Sequence, residues 1–351
     1  MFLALKVCSL LLIQAFLLAH SAPNDCQPDE RYIRLDQCPH VYHAEMTSLM
    51  RTEYGIVSWE YVGLQMVCCP KPGDELPSPG TCGRSPAGYR IARGQEASPN
   101  ELPWMAMLLY LNNTSLEIIP SCAGSLINNR YVLTAGHCVA SMPGTFTLKS
   151  VRLGEHNVGS TATGLPLCWD RRVRCAVPHI DIDVEKAFVH SRFKKGAKTQ
   201  LQHDIALLRL KMPVRFSNGI KPICLLRAHP PLTNSTLQIA GWGQTEDGRL
   251  SQVLRKGNVN EVHPSMCSQM FRYLQFNFHS QLCALGQRGV DICGGDSGGP
   301  LMATMRGFQA DIIYQAGISS VAHQICGSLG YPAVFTKVKH FFNWITRRMK
   351  A

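Results

Sequence analysis

Apolar and polar positions alternate over short distances through most of the chain. Runs such as Tyr131–Thr134, Ile205–Leu210, Leu237–Ala240 and Ala333–Val338 are four to six residues long, and Gly, Pro and Asn separate them. Short β-branched and aliphatic runs with frequent turn signals predict an all-β barrel or sandwich. Two segments break this pattern. Near the start, Lys6 precedes a mostly apolar stretch from Val7 to Leu18, and the small residues Ala19 and Ser21 follow. This order predicts a secretory signal peptide over residues 1–21, too short in its apolar part to span a bilayer. At the end, Phe341, Trp344, Ile345 and Arg348 recur at three-and-four spacing with cations in the last turn, which predicts a C-terminal helix.

Composition adds a redox compartment. The 351 residues include 15 cysteines. Cys8 falls in the signal segment, and the remaining even number predicts a disulfide-bonded, extracellular protein. Repeated short Cys/His spacings of a zinc site are absent from the sequence, so no metal is expected. The 35 Lys and Arg exceed the 24 Asp and Glu, giving a formal net charge of +11. No run of Lys or Arg exceeds two residues, so the excess reads as a solvated basic surface and not as a nucleic-acid site. No apolar run reaches the roughly 18 residues that a membrane span needs. Asn112, Asn113 and Asn234 stand in glycosylation triplets.

The chain divides by cysteine and proline content. Residues 22–70 hold Cys26, Cys38, Cys68 and Cys69, and so small a piece needs disulfides to compensate for a small core. Four prolines and two glycines between Pro70 and Gly80 predict an extended linker over residues 71–90. The β-rich region follows, over residues 91–351. It carries three segments with chemical potential: LTAGHC at 133–138, HDIALL at 203–208 and GGDSGGP at 294–300. Each alone has a structural reading, as a packed His, a turn Asp or a tight loop. Together they place His137, Asp204 and Ser297 in the order His, Asp, Ser, the ingredients of an activated serine nucleophile.

On these motifs the region from about residue 91 to the end resembles a trypsin-like serine protease of the chymotrypsin family. The segment before it, ending Cys68-Cys69-Pro70, resembles the clip domain of arthropod secreted proteases. The resemblance implies two packed six-stranded antiparallel β-barrels with the site between them, a C-terminal helix and a small disulfide-bonded domain in front. It implies that His137 takes the proton of Ser297 and that Asp204 holds the imidazole. The backbone N–H groups of Gly295 and Ser297 would then face the oxyanion. It places Asp291 at the base of the primary specificity pocket, which favours Arg or Lys before the cut bond. Ser320, Ala322 and Ala333 form the pocket walls. Two positions where the family usually has glycine are alanine here, so the slot is expected to be narrower and cleavage slower. Arg90-Ile91 resembles the activation bond, and Asp296 would receive the freed amine of Ile91.

The same resemblance implies the pairs Cys122–Cys138, Cys267–Cys283, Cys293–Cys326, Cys168–Cys175 and Cys82–Cys224, the last tying the N-terminal piece to the protease. The clip pattern lacks its usual second and fourth cysteines, near Tyr32 and Trp59, which are partners. Cys26–Cys68 and Cys38–Cys69 remain. Glu155, in LGEHN at 153–157, resembles one ligand of a calcium loop in the family, with no second acidic ligand placed; otherwise no cofactor is expected. The expected protein is a secreted zymogen in an extracellular cascade, immune or developmental by analogy. Its expected partners are protein substrates that include other zymogens, an upstream activating protease and serpin-type inhibitors. Alternatives are a weakly active or non-catalytic adaptor and a matrix-binding module. The retention of His137, Asp204 and Ser297 favours the enzyme.

Overall fold

The computed structural model describes residues 26, 30–38, 66–71, 73–85, 95–160, 179–194, 200–232, 235–245, 247–287, 290–306, 311–323 and 327–349. Two compact units are present: residues 1–72 with Met212–Arg215, and residues 73–211 with 216–351. In the first, β1 (Glu30–Arg34) and β2 (Met66–Pro70) pair antiparallel, with Tyr32 opposite Cys68. Cys26–Cys68 and Cys38–Cys69 are both bonded. Leu35 and Val67 are buried beside them, so the disulfides supplement a very small apolar core.

The second unit begins within the Pro-rich stretch. Asn128 Nδ2 donates to the carbonyls of Gly73 (2.7 Å) and Glu75 (3.1 Å), and Cys82 is bonded to Cys224. After the short β3 (Gln95–Glu96), six strands close a barrel: β4 (Met105–Asn112), β5 (Ile118–Leu126), β6 (Tyr131–Thr134), β7 (Phe146–Leu153), β8 (Ile180–Val189) and β9 (Ala206–Leu210). Their order around it is β4-β5-β6-β9-β8-β7. The other strands are β10 (Thr236–Gly241), β11 (Arg255–Glu261), β12 (Gln281–Gly286), β13 (Pro300–Met305), β14 (Ile312–Val321) and β15 (Ala333–Lys337). They run β10-β13-β14-β15-β12-β11, and the β10–β11 pairing closes a second barrel, with β3 on its edge. All strand pairs are antiparallel, as the short runs with turn signals predict. Closure removes the unpaired edges that an open sheet of such apolar strands would expose.

Burial follows position. The first six residues of β4 and the first nine of β14 are buried, because both faces of these strands are covered. β7 alternates buried and exposed residues less completely, since one face meets solvent. The barrels are joined through polar contacts as well as apolar ones: Ser125 Oγ on β5 donates to Gln315 Oε1 on β14 at 2.6 Å. Among the described residues three helices accompany the strands: α1 (His137–Ala140), α2 (Pro264–Met270) and α3 (Val338–Met349). Helix α3 is the expected C-terminal helix. Val338, Phe341, Ile345 and Met349 form its buried stripe, and Tyr131 O–H donates to the carbonyl of Met349 (3.0 Å). Among the described residues no helix is long and apolar enough to cross a membrane.

Candidate active site

The first barrel supplies two of the three chemical side chains. His137 opens α1 just after β6, and Asp204 lies between a 3₁₀ turn (Gln200–His203) and β9. β6 and β9 are neighbours in the barrel, with Thr134 opposite Ala206, so the two residues emerge side by side. His137 Nδ1 and Asp204 Oδ2 are 2.7 Å apart, and Asp204 Oδ1 accepts the His137 backbone N–H at 2.8 Å. Asp204 is inaccessible to solvent, whereas the His137 side chain keeps 24% exposure. Gly136 permits this approach: a Cβ there would lie 3.3 Å from Asp204 Oδ1 and 3.2 Å from both Ile205 N and Phe193. Burial works against protonation of His137, but the charge and hydrogen bond of Asp204 outweigh it and raise the imidazole pKa. A ring held this way can store a proton taken from a nearby hydroxyl.

The second barrel holds the same carboxylate from the other side. Ser320 Oγ on β14 donates to Asp204 Oδ2 at 2.6 Å, and Thr336 Oγ1 on β15 donates to the Asp204 carbonyl at 2.8 Å. Ser320 was expected only as a pocket wall, and Thr336 was not expected at all. A hydroxyl in a strand carries no local signal of a partner more than 100 residues away. Ser320 and the two His137 contacts satisfy a carboxylate that would otherwise be costly to bury, and Thr336 fixes the backbone beside it.

Ser297 sits on a tight loop before β13. Its carbonyl accepts from Ala123 N on β5 (2.8 Å) and lies 3.5 Å from Cys138 Sγ, next to His137 in sequence. The Cys122–Cys138 disulfide braces that side. Gly298 has φ 83°, and a Cβ there would collide with Thr134 Oγ1 and the Ala123 carbonyl, so only glycine brings this loop against the first barrel. Gly295 has φ 102°, a left-handed conformation that glycine adopts without strain. Asp296 turns away from Ser297 and accepts backbone N–H bonds from Gly243 (2.7 Å) and Cys293 (3.0 Å). Side chains at Gly241 or Gly243 would overlap its carboxylate. Burial pushes the Asp296 pKa up to about 6 against these two hydrogen bonds.

Asp291 lies between Val290 and Ile292 in sequence, and those two neighbours join an apolar cluster that contains Ala333 and, at its margin, Ala322. Its Oδ1 accepts from Ile292 N (2.8 Å), and its buried Oδ2 has no hydrogen-bond partner. Burial pushes its pKa up to about 6, opposed by the Ile292 N–H. A buried carboxylate oxygen without a hydrogen-bond partner is a receptor for a cationic group. Val321, between Ser320 and Ala322, packs against a separate cluster of Cys267, Phe271, Cys283 and Val334.

Other expected features fall at several places. Cys267–Cys283 is bonded, and Cys293 is disulfide-bonded, while its expected partner Cys326 and the pair Cys168 and Cys175 lie outside the described residues. Arg90, Ile91 and Asn234 also lie outside them. Asn112 Oδ1 accepts from the N–H groups of Thr114 and Ser115, and Asn113 is exposed on the same turn.

Glu155 does not fit a calcium ligand. Its Oε1 accepts from His156 N (2.9 Å), and its Oε2 lies 3.3 Å from Arg152 and 3.2 Å from His179 Nδ1. Burial would raise its pKa, but His179, Arg152 and the His156 N–H together hold it below the usual value. A divalent ion at these oxygens would have to displace the Arg152 guanidinium and the His179 ring nitrogen. The thermal midpoint should therefore be the same in millimolar calcium and in excess chelator. A calcium-dependent rise would show that the ion displaces Arg152 or His179.

This site lies between two closed barrels, as in chymotrypsin-like proteases. The trypsin-family profile matches residues 91–345, and the chain belongs to that family of serine endopeptidases. It is 35% identical over 342 residues to Phenoloxidase-activating factor 1 of Holotrichia diomphalia, a match covering 90% of this chain and 89% of the relative. It is 38% identical over 285 residues to Spaetzle-processing enzyme of Drosophila melanogaster, covering 79% and 70% respectively. The crystal structure of the Drosophila Grass clip serine protease of the Toll pathway superposes with a TM-score of 0.64 at 32% identity, covering 90% of each chain. The chain is thus similar to clip-domain serine proteases of insects.

Proposed function

We propose that this chain is the precursor of a secreted endopeptidase that is cut after Arg90. It then hydrolyses bonds following Arg or Lys in protein substrates, other protease precursors among them, within an extracellular cascade. The observation that carries the specificity is Asp291, whose buried Oδ2 has no hydrogen-bond partner. A guanidinium or ammonium entering there gains a charge-assisted hydrogen bond that an apolar side chain cannot offer. The printed names of the relatives, an activating factor and a processing enzyme, support a cascade in which one protease acts on another protein. By the same kinship an upstream protease would cut at Arg90, and serpin-type inhibitors would end the activity.

The chemistry follows from the site. Ser297 Oγ attacks the scissile carbonyl as His137 Nε2 takes its proton, while Asp204 keeps the Nδ1 proton in place and stabilises the imidazolium. Backbone N–H groups of Gly295 and Ser297 stabilise the oxyanion. His137 then delivers the proton to the leaving amine, and water repeats the sequence on the acyl-enzyme. The intact trio supports an enzyme over an adaptor. Labelling of Ser297 by an arginyl phosphonate after processing tests this reading, and absence of labelling in fully processed protein would reject it.

Activation rests on Asp296. Its carboxylate has two backbone donors and a raised pKa, so a new cationic amine at Ile91 would relieve the cost of ionising it. Arg90→Gln is expected to leave an intact and inert precursor in the presence of the activator. The processed wild type should run as one band without reductant and as two with it, because Cys82–Cys224 spans the cut. Equal activity of intact and processed protein would overturn the precursor reading.

A further inference from the structure

The excess positive charge is concentrated in two stretches of sequence. Residues 186–203 contain five Lys and Arg and no Asp or Glu, and residues 312–351 contain another five, again with no acidic residue. These stretches are more than 100 residues apart in the chain, yet the fold brings described residues of both together. The His190 ring stacks on His203 (5.0 Å between centroids) and meets Phe341 and Trp344 of α3, each at 5.3 Å. Around this junction Arg192 and Lys194 are exposed on the loop after β8, and Lys339, His340, Arg347 and Arg348 are exposed on α3. Lys337 and His279 flank them. Among the described residues no carboxylate lies within ion-pair distance of Arg192, Lys194, Lys339, Arg347 or Arg348. Elsewhere on the same barrels, cations such as Lys149, Arg130 and Arg152 are paired with acids.

The titrating groups report the resulting field. Burial and then the neighbouring His203, Arg192, His340 and Arg348 push His190 down to about 4. Burial, Lys337 and His279 lower His340; burial and then Lys339 lower Lys337, with Glu261 the one acid acting against them. Arg192 of the β8 loop and Arg348 of α3 therefore act on the same His190 ring at this junction.

We propose that this face binds a linear sulfated polysaccharide. A patch of cations on a loop and a helix, without acidic partners among the described residues, suits a ligand recognised by its charge density, through release of condensed counterions. The aromatic rings at the junction are engaged with His190 and so offer no platform for stacked bases, which single-stranded nucleic acids use. The site goes beyond the proposed peptidase activity and does not depend on it.

The test uses the full chain in its uncut form and a fluorescent heparin oligosaccharide, followed by anisotropy over a range of NaCl. Binding is expected to weaken steeply with salt. The combined change Lys339→Ala, Arg347→Ala and Arg348→Ala should weaken it about tenfold or more, and lower the slope against log salt by about three. Arg192→Ala with Lys194→Ala, on a different element, should also weaken it, whereas Lys149→Ala with Arg255→Ala should not. Unchanged thermal midpoints would show that the variants fold. Heparin affinity that is absent, or indifferent to both sets of changes, would overturn the proposal. So would tighter binding to duplex DNA of matched charge.

Discussion

Replacing Ser297 by alanine is expected to lower kcat of the processed enzyme by about 10⁶, and His137→Ala by about as much. The double change should cost no more than either alone, because the hydroxyl and the imidazole act in one proton transfer and the loss of either abolishes it. Asp204→Asn should cost about 10⁴. The physical reason is visible in its contacts. Asp204 accepts from the His137 backbone N–H, from the Nδ1 side of the ring and from Ser320 Oγ. An amide in its place must present an N–H to at least one of these donors, so the ring loses its tautomer or its orientation. Steady-state kinetics on an arginyl peptide measure all four variants. Losses that add across Ser297 and His137, or an Asp204→Asn enzyme as fast as the wild type, would reject the assigned roles.

Asp291→Ser is expected to abolish the preference for Arg and Lys. Breaking a buried pair costs ~3–5 kcal/mol, roughly 10²–10⁴ in kcat/KM. The serine hydroxyl cannot supply a charge to a guanidinium in place of the buried carboxylate. The pH dependence gives an independent readout. Burial pushes Asp291 up to about 6, so the group is ionised at pH 7.5 and becomes neutral as pH falls through 6. His137 must also be neutral to act as base, and it too is lost as pH falls. The acid limb of kcat/KM on arginyl peptides should therefore be steeper than a single ionisation, and Asp291→Ser should reduce it to one. The walls act in the opposite direction. Ala322→Gly with Ala333→Gly should raise the rate on simple arginyl peptides by about ten- to hundred-fold, the usual cost of overpacking. A substrate profile dominated by large apolar residues before the cut would mean that Asp291 does not line the pocket.

What could be read from the chain alone was local. The short apolar runs between turn residues indicated closed β architecture, because strand pattern and turn chemistry are properties of a few neighbouring residues. The residues of the chemical trio stood out for the same reason, each within its own short motif, and the amphipathic stripe of α3 was visible in its own spacing. Contacts made across the barrels were not legible. Nothing near Ser320 or Thr336 marks them as donors to Asp204, since the bonds form only when β14 and β15 close against the loop before β9. Glu155 looked like half of a metal site until Arg152 and His179 met its oxygens. The basic excess read as a diffuse surface because its two acid-free stretches are far apart in sequence. Only the packing of His190 and His203 on Phe341, with Trp344 against His190, joins them into one face. Electrostatic and hydrogen-bond partners are set by distance in space, and a β-barrel fixes those distances by long-range closure that no short window of sequence contains.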